Sequence, residues 1–145
     1  MSKLIAIGFK PIKQQPMTLV TKASVTCSHG VEQDFCGRPG KRQVTVMSKE
    51  QWQTVCDELD TLLPWTTRRA NLLVEGLSFS SAHVGKILKV GDLKLEITGE
   101  TDPCKKMELA HAGLEAALRP DWRGGVTCRV LNDAVINAGD SVLLS

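Results

Sequence analysis

Eight short runs rich in Val, Ile, Leu and Thr, each cut off by Gly, Asp, Asn or Pro, set the narrowest limit on what this chain can fold into. They are Leu4 to Phe9, Leu19 to Cys27, Gln43 to Met47, Ala70 to Val74, Lys86 to Val90, Leu93 to Thr98, Val126 to Leu131 and Ser141 to Leu144. Runs of this length, alternating or wholly apolar, read as strands rather than helices, and turn residues between them point to an antiparallel meander or barrel. Two segments repeat one theme: Val90-Gly91-Asp92-Leu93 and Ala138-Gly139-Asp140-Ser141 each set a Gly-Asp turn between apolar-patterned arms. Glycine supplies the positive φ of a tight hairpin, so both are read as turns with no catalytic part for Asp92 or Asp140.

Two helices interrupt the strands. Ser48-Lys-Glu-Gln51 has the form of a capping box, and Trp52, Val55, Cys56, Leu59 and Leu63 follow at helical spacing up to Pro64. The second helix is predicted to start at Asp102-Pro103, with Asp as N-cap and Pro at the first helical position, and to run through Met107, Ala110, Leu114 and Leu118 to Pro120. The predicted fold is therefore mostly β, a barrel with two or three short peripheral helices, formed as one domain over residues 1–145, a usual size for a single core.

Charge narrows the partners. A net charge of +2 spread over mixed-sign segments lacks the concentrated basic stripe of a nucleic-acid binder. Three Phe, three Trp and no Tyr leave little for a base-stacking platform. The apolar stretch near the start is too short for a signal h-region or a membrane span, so the expected location is the cytoplasm. Five cysteines, an odd number without a Cys-x-x-Cys pair, fit free thiols better than a disulfide scaffold or a zinc ribbon.

Cys104 is the candidate working residue. It falls in the first turn of the second predicted helix, where unpaired N–H groups favour a thiolate, and Lys105 and Lys106 follow it. Glu100 and Asp102 act the other way, and a buried cysteine packing as a small hydrophobe remains the alternative. Packing is the preferred reading of Cys56, on an apolar helix face, and of Cys128, inside a strand. His111 lies about 10 Å from Cys104 along a helix and is not its base; His29 and His83 read as surface residues. Arginines beside flexible backbone at Arg38 to Arg42, Arg68-Arg69-Ala70-Asn71 and Arg123-Gly124-Gly125 suit phosphate or carboxylate, though none has Walker spacing and each also reads as a solvated turn.

Taken in order, Gly40-Lys41-Arg42-Gln43-Val44-Thr45-Val46, Thr67 to Gly76, Gly91 to Gly99, Asp102-Pro103-Cys104-Lys105-Lys106-Met107 and Arg123 to Val130 resemble the MOSC family, the domain similar to the C-terminal part of molybdenum-cofactor sulfurases. The resemblance spans roughly residues 20 to 145 and implies a β-rich barrel of the pyruvate-kinase-barrel type with one marked cysteine, Cys104 here. It implies that this cysteine carries sulfur as a persulfide or ligates molybdenum, and that the cofactor is a molybdopterin. Arg42, Arg68, Arg69, Asn71, Arg123 and Gly124 are then the candidates to hold the pterin and its phosphate. Many relatives carry a Gly-Asp-x-His-Gly-like stretch where this chain has Gly30 to Gly37, leaving His29 and Asp34 as displaced equivalents. Three readings follow: a molybdenum-dependent reductase of N-hydroxylated compounds, a non-catalytic sulfur carrier, or a barrel whose site has decayed. A cysteine desulfurase or a redox protein is the expected partner.

Overall fold

The computed structural model describes residues 2–13 and 15–145. Among the described residues, eleven strands form two sheets: β1 (Lys3–Phe9), β2 (Thr18–Val20), β3 (Lys22–Thr26), β4 (Gly30–Val31), β5 (Val44–Ser48), β6 (Leu72–Glu75), β7 (Ile87–Val90), β8 (Leu93–Glu100), β9 (Val126–Val130), β10 (Ala134–Asn137) and β11 (Val142–Leu144). The larger is an eight-stranded curled half-barrel in the order β11-β7-β8-β9-β5-β6-β1-β2, and the smaller is β10-β3-β4. The helices are α1 (Lys49–Glu58), α2 (Lys105–Ala110) and α3 (Leu114–Leu118).

Alternation in the strands sorts the side chains into two cores. Val44 and Val46 of β5 and Leu72 and Val74 of β6 face the half-barrel interior with Leu88, Leu95, Ile97, Val126 and Cys128. Met47 and Leu73, one residue out of phase, point to the other face, where Trp52, Val55 and Cys56 of α1 meet Met107, Leu114 and Leu118. One strand period thus builds the barrel and the shelf on which the helices rest.

The mostly β class holds, while its connectivity differs from a pure meander. β5 and β6 are parallel, Val46 opposite Leu72, with α1 in the crossover between them. The expected run from Leu19 to Cys27 divides at Thr21, so that β2 joins the large sheet and β3 the small one. Gly91-Asp92 does close a two-residue hairpin, with Val90 opposite Leu93 and Gly91 at φ 57°. Gly139-Asp140 is also a turn, but its arms diverge: β10 pairs with β3, and β11 pairs with β7. The Asp140 carboxylate accepts from the Asn137 N–H (2.8 Å) and its carbonyl from the Leu4 N–H (2.8 Å), which fixes the exit towards a different sheet.

Both helices are shorter than their apolar periodicity suggests. Ser48 caps α1 by accepting from the Gln51 N–H at 3.2 Å, but Gln51 does not close the box. Its side-chain amide is spent on the backbone of Phe79 and the carbonyl of Asp121. The helix ends at Glu58, and Leu63 lies beyond it, holding Trp52 Nε1 by its carbonyl at 3.0 Å. The second predicted helix is two: Gly113 at φ 86° breaks it, with His111 extended at the end of α2. Asp102 is not the N-cap; that position belongs to Cys104, extended at φ −135° and making no side-chain cap bond. Cys104 therefore precedes, rather than falls within, the first turn of a helix of 6 residues. Among the described residues, no helix is long and apolar enough to cross a membrane.

Candidate functional site

The site lies where the ends of β1, β5 and β6 meet the start of α2. Asn71 locks those strands together: its Oδ1 accepts from the Thr45 N–H (3.0 Å) and hydroxyl (3.2 Å), and its Nδ2 donates to the Gly8 carbonyl (3.2 Å). Gln43 does the same for the loop that roofs the site. Buried at the start of β5, it donates to the carbonyls of Cys27 (2.8 Å) and Gly37 (3.2 Å) and accepts from the Val130 N–H (3.0 Å). A second tie comes from Asp34, whose carboxylate accepts from the Lys10 N–H at 2.9 Å, while the Phe35 N–H returns to the Lys10 carbonyl at 2.9 Å. A buried amide with every partner filled is costly to disturb, so the loop carrying Asp34, Phe35 and Cys36 has a defined position.

Between this roof and α2 opens a cleft of about 240 Å3, walled by Lys10, Cys36, Arg42, Arg68, Arg69 and Cys104, with Asn71 at its base. Cys104 is exposed at the mouth, and Cys36 is exposed as well. Arg42, Arg68, Arg69, Asn71 and Cys104, spread over residues 42–104 of the sequence, are thus brought together. Arg123 and Gly124 are not among the lining residues. Arg123 faces a larger, open depression of about 540 Å3 beside Asp121 and Trp122, where it pairs with Glu58 (2.8 Å) and donates to the Ala117 carbonyl (3.0 Å). Gly124 backs the site from behind: a Cβ there would stand 2.4 Å from the Thr101 carbonyl oxygen and 3.2 Å from Arg68 Nη2.

The cations of the cleft divide by duty. Arg68 is buried and uses Nη2 on the carbonyls of Thr101 (2.8 Å) and Asp102 (3.3 Å), the two residues ahead of Pro103-Cys104. Its Nε and the Thr101 hydroxyl are buried without a protein partner. Burial lowers its pKa first; a Cys104 thiolate would act in the opposite sense, and Arg69 and Arg42 add to the lowering. Arg42 and Arg69 form no ion pair among the described residues. Arg69 is held in the left-handed region at φ 64°, ψ 32°, a conformation costly for a side-chain-bearing residue. Lys10 is buried too, and burial, then Arg69 and Lys106, lower its pKa. With only Asp34 as carboxylate among the lining residues, the cleft presents an excess of positive charge at low dielectric.

The larger depression is the roomier of the two, yet it holds no thiol and its one cation is committed to Glu58. The smaller cleft joins a thiol to free guanidiniums and is the better candidate. Cys36 and Lys10 are its unforeseen members, and Asp34, one of the two displaced equivalents, lines it as well. His29 bonds to the Ser28 hydroxyl (2.8 Å) and His83 to the Ser80 N–H (3.3 Å), and neither lines it.

The sequence pattern of the MOSC domain matches residues 20–143. The chain belongs to the MOSC domain family. Solved structures share its architecture: the YuaD protein from Bacillus subtilis superposes with a TM-score of 0.81 at 18% identity, covering 99% of this chain and 96% of that one. YiiM from Geobacillus stearothermophilus gives 0.79 at 18% identity, covering 100% and 75%, and YiiM from Escherichia coli gives 0.74 at 15%, covering 100% and 70%. At these identities the likeness is one of fold. No curated protein matches the sequence. In this MOSC domain, Cys104 is exposed and lines the basic cleft.

Proposed function

We propose that this MOSC domain binds a molybdopterin-type cofactor in the basic cleft, with Cys104 as its sulfur ligand and Arg42 and Arg69 as the residues that hold the phosphate. The observation that carries the reading is the meeting of the exposed Cys104 thiol with Arg42 and Arg69, which form no ion pair among the described residues, in a single cleft. The donor chemistry fits: guanidiniums take phosphate bidentately, and a thiolate is a soft metal ligand. When bound, the group would supply two-electron redox chemistry at its metal, as in reductases of N-hydroxylated compounds. The chain's own residues would position and neutralise. Arg68 holds the Thr101-Asp102 backbone so that Cys104 faces the cleft, Asn71 fixes the floor, and Lys10 adds positive charge to the wall.

A second reading is favoured by the size of the cleft. At about 240 Å3 it is smaller than the ~300–1,000 Å3 of sites that engulf a small molecule, so a pterin would lie partly outside. An exposed Cys104 suits a sulfur carrier, charged by a cysteine desulfurase and handing its persulfide to another protein. The test is elemental analysis, with pterin fluorescence after oxidation, on protein made in a host that produces molybdopterin. Molybdenum and pterin present in the wild type and absent from Cys104→Ser are the expected result. Absence from both, with sulfur added at Cys104 by a desulfurase, would replace the cofactor reading with the carrier one.

A further inference from the structure

Cys36 belongs to the same cleft as Cys104 and has no part in the scheme above. The other three thiols stand apart: Cys56 and Cys128 are buried, and Cys27 is outside the cleft with its N–H on the Asp133 carboxylate at 2.8 Å. The two cleft thiols flank one cluster of cations. Burial and then Asp34 raise the Cys36 pKa, with Arg69, Arg38 and Lys10 acting against them; Lys10 also feels Lys106, two residues beyond Cys104; and Arg68, adjacent to Arg69, feels Cys104. Cys36 is held between Asp34 and Gly37, and the Gly37 backbone is fixed so closely that a Cβ there would come within 1.8 Å of the His29 carbonyl oxygen. Its exposure is therefore a set feature of the roof.

We infer that Cys36 is the resolving thiol for Cys104, displacing any sulfur-linked group that Cys104 has accepted and closing a Cys36–Cys104 disulfide. The proposal rests on the reading of Cys104 as the working thiol, and gives the sulfur-carrier form of it a release step. With an external disulfide RSSR, the Cys104 thiolate first attacks one sulfur, forming Cys104–S–S–R and releasing RS−. The Cys36 thiolate, having lost its proton to solvent, then attacks Cys104 Sγ. The Sγ–Sγ bond forms, the bond to R–S breaks, and a second RS− leaves to be protonated. RSSR is reduced to two thiols, and Cys36 and Cys104 are oxidised to one disulfide. With a persulfide on Cys104 the same attack expels hydrosulfide, and an external dithiol reduces the protein disulfide back to two thiols. Such exchange depends on the attacking thiolate, the quality of the leaving group and access, and disulfide closure requires the two Cα atoms within ~7 Å. Burial and Asp34 raise the Cys36 pKa against the pull of Arg69, Arg38 and Lys10, so the closing step should speed up as pH rises.

The experiment treats the full chain with oxidised glutathione and follows intact mass, released glutathione and the cross-linked peptides. In the wild type a single glutathione adduct at Cys104 rises and falls, two glutathiones are released, and peptides joined through Cys36 and Cys104 appear. In Cys36→Ser the adduct on Cys104 persists and the second release is lost; Cys27→Ser behaves as wild type. Circular dichroism on Cys36→Ser and Cys36→Ala checks that the fold is kept. A wild-type adduct as persistent as that of Cys36→Ser overturns the resolving role and leaves Cys104 as the working thiol. A Cys104 that never accepts glutathione overturns both.

Discussion

Arg68 reaches across 33 residues of sequence to donate a 2.8 Å hydrogen bond to the carbonyl oxygen of Thr101, and so holds the strand end from which Cys104 emerges. The bond runs from a buried guanidinium to backbone, and Gly124 packs so closely behind it that a methyl group would collide with the Thr101 carbonyl oxygen and crowd the Arg68 guanidinium.

Replacing Arg68 with Met should remove this anchor. A hydrogen bond from a charged donor is worth roughly 1.5–3 kcal/mol, so urea unfolding is expected to show a loss of about 2 kcal/mol. Alkylation of Cys104 should also become faster as its segment loosens. Gly124→Ala, which leaves the arginine in place, should give the same pair of effects by displacing the Thr101 carbonyl.

Arg69 is the residue where function and stability oppose each other. Its left-handed backbone favours glycine, so Arg69→Gly should stabilise the fold by about 0.5–1 kcal/mol, read as a higher thermal midpoint. Titration with pyrophosphate should show weaker binding in the same variant, because a cation of the cleft is gone. A variant that lost both stability and binding would mean that the guanidinium has a structural partner.

Gln43 has every amide group engaged, joining β5, β9 and the loop that carries Cys36. Gln43→Ala leaves a buried N–H and two buried carbonyls without their partner. The expected cost is about 2–4 kcal/mol, accompanied by faster modification of Cys36.

Burial pushes the Cys128 thiol far above its ordinary value of 9.0. Above that value the unfolded chain loses a proton which the folded chain keeps, so stability falls as pH rises. One such group contributes a slope of at most about 1.4 kcal/mol per pH unit. Cys36 and Cys27 are raised as well, and Lys10 is lowered, which acts in the opposite sense. The difference between wild type and Cys128→Ala isolates the Cys128 contribution. Unfolding free energies from pH 8 to pH 11 should fall less steeply in the variant.

The strands were legible because the sheet records its faces in alternation: Val44, Val46 and Met47 declare two opposite cores within four residues. Helix ends were less so. Nothing in the periodicity from Met107 to Leu118 distinguishes one helix from two, and the break rests on the single left-handed Gly113. Arg42, Arg68, Arg69, Asn71 and Cys104 could be singled out by residue type, yet their meeting depends on the parallel β5–β6 crossover, a long-range pairing that local pattern does not encode. Cys36 and Lys10 gave no local signal, since only the ties from Gln43 and Asp34 bring them to the cleft. Arg123 had the right composition and faces another depression, because Glu58 at the end of α1 captures it.

The diverging arms of the Gly139-Asp140 turn bear on how the chain emerges during synthesis. β7 has β8 on one side and only β11 on the other, and the pair is sealed by reciprocal bonds between Ile87 and Ser145 at 2.8 and 2.9 Å. Some fifty residues separate those strands, so a ribosome-bound chain displays the bare edge of β7 until β11 has cleared the exit tunnel. An open strand edge is a template for pairing with other chains. Pausing translation after β7 has emerged and before β11 has cleared the tunnel should therefore favour aggregation of nascent chains.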